Sequence, residues 1–363
     1  MTDFNRLQDV LVDNNSGCHL SEAVIYGRFI RYKRMDDILR AYMPDISKEV
    51  NVFIDLTTML NKVYKFENIA NPLGILACMG NLPLHYRHYF NRLGIKSNIF
   101  LIYSSNDSAN NYRYIANYDS KHKISKDSNP TVHEIIKHNV DLLGTLVQFM
   151  PGIYLKKGTV EPSVIACDLI DKFSQSDVIH NIFITSSDYS YQLPVVSNVL
   201  VIYKKSVSIG EGKSEDLSFG ITRENALSLY IQMKTKNLQE MNVDESWISP
   251  FMVLNGLSCR DVKALISYTQ SLKVLYSITA SYSVITPDSL YDVMESMYPG
   301  KASREEVYAR YCALDITHQL NLYRQLPESL ESNFLTDVYD QQALYDISNL
   351  YFSGTNTIDF QKL

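Results

Sequence analysis

The chain has no apolar run long enough to cross a bilayer, so no membrane span and no membrane partner are expected. It also lacks any close pair of cysteines. Cys18, Cys78, Cys167, Cys259 and Cys312 are scattered and odd in number, which excludes paired zinc or redox motifs and reads as reduced, buried thiols. There is no excess of basic charge. A formal net charge of −6 excludes a broadly basic nucleic-acid binder, because phosphate affinity is supplied largely by Lys and Arg, while it leaves room for a local basic groove. The first twenty residues show neither a basic start nor an apolar core before a small-residue cleavage site, so an intracellular, cytoplasmic protein is expected. Internal repeats and long low-complexity stretches are absent too.

What is present is patterned as an α/β protein. Val50–Leu56, Asn98–Tyr103, Asn181–Thr185 and Val199–Tyr203 are short β-branched, apolar runs of the kind that form buried parallel strands. Helical stretches lie between them, over 71–93, 130–149 and 161–174, the last opening at Glu161-Pro162, where proline suits a first helical turn. Alternating strands and helices predict a central, mainly parallel sheet flanked by helices. Beyond about residue 222 the pattern becomes helix after helix: 223–237 capped by Thr222, 261–276, 287–298 opened by Thr286-Pro287, and 303–325 with a Ser303/Glu306 capping box. The expected organisation is a helical N-terminal extension over 1–48, an α/β domain over 49–222, a helical lobe over 223–327 and a tail over 328–363. Residues 104–130, rich in Ser, Asn, Asp, Lys and Tyr, read as a long exposed loop or arch.

In open parallel sheets, ligands sit beyond the carboxyl ends of the strands. Asp55 and Asp188 fall at that edge, and Asp107 follows the second strand after a four-residue gap. The order of these features resembles the flap endonuclease and 5′ nuclease family of the PIN-like superfamily, over roughly residues 50–325. The resemblance is to a strongly divergent, viral or phage-like member, and it implies a 5′ nuclease-like fold. Family motifs match Asp55 at the end of the first strand, Asp107 after the second, Glu161 opening a helix, and Asp188 after the third strand. These four acids are the implied catalytic and metal-binding residues, with Mg or Mn as the implied cofactor. Tyr112-Arg113 and the later Tyr118-Asp-Ser-Lys121-His-Lys123 match the segment that holds the scissile phosphate, so Arg113, Lys121 and Lys123 are the implied nucleic-acid-binding residues.

The same motifs are depleted here. Ser163 and Val164 stand where the family carries two further acids after Glu161, and Ser190 stands for the second Asp of the Asp188 motif. The run from Phe251 through Asn255, Gly256, Ser258 and Asp261 echoes a helix-hairpin-helix, but its acids are displaced and its hairpin glycines are gone. A tight backbone cradle for phosphate is hard to form without glycine. Two-cation hydrolysis needs acids that hold the ions about 4 Å apart. The residues left allow one cation at most. The expected function is therefore a catalytically weakened or inactive 5′ nuclease-like protein, acting as a nucleic-acid-associated or assembly subunit of a replication, transcription or viral complex with protein partners. An active Mg- or Mn-dependent 5′ exonuclease or flap endonuclease is one alternative; a structural protein without nucleic-acid binding is another. Inside a virus the location would be host cytoplasm or virion.

Three other signals point to ordinary structure. His85 and His88 have helical spacing but no third ligand at recognisable spacing. Gly210-Glu-Gly212-Lys-Ser214 lacks the first glycine of a phosphate loop and reads as a hairpin. Ser186 and Ser187 have no visible general base, so a nucleophilic hydrolase is not expected.

Overall fold

A computed structural model describes residues 25–26, 29–30, 35–59, 72–104, 130–173, 179–210, 213–235, 244–257 and 268–326. Two short strands, β1 (Ile25–Tyr26) and β2 (Phe29–Ile30), pair antiparallel and precede helix α1 (Met35–Tyr42). The chain then builds a six-stranded sheet from β3 (Ile46–Asp55), β4 (Lys96–Ser104), β5 (Ile153–Gly158), β6 (Ile179–Thr185), β7 (Leu200–Gly210) and β8 (Lys213–Ile221). Their spatial order is β5-β4-β3-β6-β7-β8, with every pairing parallel except β7 with β8. Helices α2 (Pro72–Arg92), α3 (Pro130–Val147) and α4 (Pro162–Phe173) make the crossovers. The expected sheet is thus observed.

The reason these segments pair is visible in one row of side chains. Tyr154, Phe100, Phe53, Phe183 and Val201 are consecutive partners across five strands, and the rings of Phe53, Phe100 and Tyr154 stack at 4.9 Å between centroids. Their neighbours in sequence, Val52, Ile54, Ile99, Leu101, Ile182, Ile184, Leu200 and Ile202, point the other way into a second core with α2 and α3. A two-residue side-chain period splits each strand between two cores, so each strand must be apolar on both faces. A polar row closes the other end: Asn98, Asn51 and Asn181 are in register, Asn98 donating to Asn51 at 3.4 Å and Asn51 to Asn181 at 3.3 Å.

The helical region comprises α5 (Leu193–Val196), α6 (Ala226–Thr235), α7 (Ile248–Gly256), α8 (Tyr268–Ser281), α9 (Pro287–Met297), α10 (Arg304–Leu314) and α11 (Ile316–Tyr323). Four details differ from expectation. The extension expected to be helical over 1–48 carries the paired strands β1 and β2 and the start of β3 at Ile46, beside helix α1. β5 went unread, because Ile153-Tyr-Leu-Lys-Lys-Gly is short and carries two lysines. The helix expected over 303–325 breaks at Asp315, whose side chain accepts from the His318 amide and so restarts a helix. The helix expected from residue 223 starts later: residues 223–225 form a turn, with Asn225 accepting from the Thr222 amide at 2.8 Å, and α6 begins at Ala226. Thr286 does cap α9, in a reciprocal box with Ser289. The arch expected over 104–130 and the tail over 328–363 lie, but for residues 104 and 130, outside the described residues.

The helices do not form a separate core. Phe251, Val274, Leu290, Val307 and Tyr323 belong to the same buried cluster as Phe53, Phe183 and Val201 of the sheet. Among the described residues, no helix is long and apolar enough to cross a membrane.

Candidate functional site

Strand β3 is the point where the order of the sheet reverses, since the chain moves outward through β4 and β5 and returns to place β6 on the opposite side of β3. In open parallel sheets such a reversal point is where ligands bind, beyond the carboxyl ends of the strands. Asp55 is the last residue of β3, Thr185 the last of β6, and Glu161 precedes α4. The fold thus gathers acids that are more than a hundred residues apart.

Asp55 is fully buried. Its Oδ2 accepts from the Thr185 hydroxyl at 2.7 Å, and its Oδ1 from the Thr58 amide at 3.0 Å. Burial pushes its carboxyl above the usual range, against the opposing pull of these bonds. Glu161 is half-buried and accepts from the Ser187 hydroxyl at 2.6 Å. Its carboxyl is pushed up to about 7, first by burial and then by the negative charge of Asp55, so the two acids feel one another. A relay links them. The Ser187 amide donates to the Thr185 hydroxyl at 3.0 Å while that hydroxyl donates to Asp55, and the Ser187 hydroxyl donates to Glu161.

Asp188 opens the 3₁₀ turn Asp188–Gln192 and accepts from the Tyr203 hydroxyl at 2.7 Å. Burial, with the charge of Asp188 behind it, pushes the phenols of Tyr203 and Tyr230 upward. Tyr191 packs between those two rings, 5.0 and 5.3 Å from their centroids. The positions depleted of acid are filled as core. Ser163, Val164 and Ser190 are fully buried, and Ser190 turns back to donate to the Ser187 carbonyl at 2.7 Å.

The structure therefore places Asp55 and Glu161 beside one another, and bonds Asp188 to the tyrosine group. Asp107, Arg113, Lys121 and Lys123 lie outside the described residues. Among the described residues, no group of three or more His, Cys, Asp or Glu side chains is arranged to hold a metal ion. Among the described residues the donor set falls short of a two-cation centre: Asp55 and Glu161 are the adjoining acids, and Ser163, Val164 and Ser190 carry a methyl-bearing or hydroxyl side chain where a second cation needs carboxylate oxygen. Sequence reasoning named the acids but missed the hydroxyls. Thr185-Ser186-Ser187 directly after an apolar strand was the available signal.

No protein-family model matches the chain, and no curated protein matches it. Solved structures do. A bacteriophage T5 flap endonuclease variant, described as a pseudo-enzyme–product complex with DNA and metal ions, shares 10% identity at a TM-score of 0.43, covering 83% of this chain and 98% of its own. The T5 5′-exonuclease with zinc bound shares 11% identity at a TM-score of 0.45, with the same coverage. At that identity and score no residue role passes from those proteins to this chain.

Proposed function

We propose that this chain is a divergent 5′ nuclease-like protein whose catalytic centre has decayed, and that it works as a nucleic-acid-associated or assembly subunit of a replication, transcription or viral complex. The observation that carries this reading is the replacement of ligands by hydroxyl donors. Asp55 and Glu161 sit at the carboxyl edge beyond which a sheet of this kind binds its ligand, yet Thr185 and Ser187 each donate to one of their oxygens. Ser163, Val164 and Ser190 sit in the core at the positions where the resembling family carries further acids.

The test is cleavage of labelled flap, nicked and single-stranded substrates in Mg or Mn, with wild type beside Asp55→Ala and Asp188→Ala. Wild type and both variants are expected to give the same background. Cleavage by wild type that vanishes in the variants overturns the decayed-centre reading in favour of a working metal-dependent nuclease. Binding of the same substrates is expected to weaken steeply with salt, since phosphate contacts release counterions. Absence of binding at low salt removes the nucleic-acid role.

A further inference from the structure

Although the whole chain is acidic, residues 68–106 contain no Asp or Glu. Helix α2 lies within that stretch, and His85, His88, Tyr89 and Arg92 recur on it at i, i+3, i+4 and i+7, which puts them on one stripe. His85, His88 and Arg92 are exposed, and Tyr89 is half-buried. The stripe is aromatic as well as cationic: the ring of His85 lies 5.8 Å from that of Tyr86 and 6.1 Å from that of Tyr89. Strand β7 extends it with Lys204, whose ammonium donates to the Tyr86 hydroxyl at 2.6 Å and sits 5.0 Å from the centre of that ring.

The electrostatics are one-sided. Burial first, then the neighbouring Lys204 and His88, hold the His85 imidazole below its usual range, so it meets a ligand as a neutral ring and the cations of the patch are Arg92 and Lys204. Among the described residues, no carboxylate pairs with His85, His88, Arg92 or Lys204. Lys96 does not belong to the patch, because Glu49 holds it at 2.8 Å. Arg87 does not either, since its guanidinium turns under the helix toward Gly152 and Asn98.

We infer that this outer stripe of α2, with Lys204, binds a single strand of nucleic acid, its cations on phosphates and its rings against bases. Cations interleaved with aromatic rings are the features by which proteins hold single strands without reading sequence, because every base offers a π-face and every nucleotide a charge. A duplex keeps its base faces stacked inside and offers nothing to the rings. An acidic protein segment matches the charge but leaves the rings without a flat partner. The inference rests on the nucleic-acid association proposed above, and it places the strand on α2 instead of on the acids at the strand edge.

The test uses the full chain and fluorescent oligothymidylate and oligouridylate, followed by anisotropy over a salt series, with unlabelled polyglutamate as competitor. Arg92→Glu combined with His88→Glu is expected to raise Kd at least tenfold for both oligonucleotides. Arg92→Ala is expected to flatten the plot of log affinity against log salt by about 0.7, the share of one cation on a single strand. Lys273→Glu, on the exposed face of α8, is expected to leave both unchanged. Since the substituted side chains are exposed, unaltered circular dichroism and Tm confirm that the variants fold. Oligonucleotide binding by wild type that persists undiminished in the Arg92 and His88 variants overturns this inference and leaves nucleic-acid association standing. No binding by wild type at low salt overturns both. Polyglutamate binding as tightly as the oligonucleotides, with the same loss in the variants, assigns the surface to an acidic protein instead.

Discussion

Tyr191 and Tyr203 are neighbours in the core with opposite polar fates. The Tyr203 hydroxyl donates to Asp188, whereas the Tyr191 hydroxyl is buried without a hydrogen-bond partner among the described residues. A buried, unpaired hydroxyl costs about 1–3 kcal/mol, and a bond to a charged acceptor contributes about 1.5–3 kcal/mol. Tyr191→Phe is therefore expected to hold or raise stability in urea unfolding, by up to about 1 kcal/mol. Tyr203→Phe is expected to lower it by about 2 kcal/mol, because Asp188 loses its phenolic donor. Equal effects of the two changes contradict this assignment. Asp188 itself was readable from its motif, since an apolar strand ending in polar residues marks a carboxyl edge. Its phenol partner was not, because Tyr203 is fifteen residues away and is only one of 26 tyrosines.

At the start of α6, Glu245 reaches back from its own 3₁₀ turn and accepts from the amide of Leu227 and the hydroxyl of Ser228. It is a helix cap borrowed from another element. A carboxylate suits the positive end of the helix, but burial dominates and pushes Glu245 up to about 7. A carboxyl whose pKa is higher folded than unfolded binds more protons in the folded state. Its contribution to stability is therefore fully present at low pH and is lost as pH rises from about 4.5 through about 7. Glu245→Gln keeps the acceptor and removes the charge. It is expected to match wild type in Tm near pH 4.5 and to exceed it at pH 8, by no more than about 3 kcal/mol of stability. A difference that does not grow between those pH values contradicts the prediction. Helix positions followed from periodicity, but the cap from Glu245 did not, since a cap supplied from a distance leaves no local signature.

For the molecule as a whole, the decisive joint is Gln192. Its amide donates to the Leu314 carbonyl at 2.8 Å, and its oxygen accepts from the Ile316 amide at 3.2 Å. The Ser249 hydroxyl lies 2.6 Å from both that oxygen and Asp315. One buried side chain thus ties the turn after β6 to α7, α10 and α11, inside a cluster shared by sheet and helices. A second tie is Arg324, which donates at 2.8 Å to both Asp168 and Asp171 of α4. Sheet and helical region are expected to unfold together, so that the fluorescence of Trp247, the one tryptophan of the chain, and far-UV circular dichroism give coincident midpoints. Gln192→Ala leaves two buried backbone groups, the Leu314 carbonyl and the Ile316 amide, short of that partner and is expected to cost about 2–4 kcal/mol. Separated midpoints in wild type contradict a shared core.

Local pattern determined the class of this protein. Four doubly apolar strands, the helices between them and the acids at strand ends are properties of short stretches, because a two-residue or 3.6-residue period is written within ten residues. The tertiary structure alone decided what those acids meet. Asp55 touches Thr185 across 130 positions and Glu161 touches Ser187 across 26, since strand order brings β3 and β6 side by side. Pairing is a long-range property of the sheet, and nothing in either strand names its neighbour. The one-sided charge of α2 follows the same division. Its lack of acids is plain in the sequence, while Lys204 joins it only because β7 lies beneath the helix.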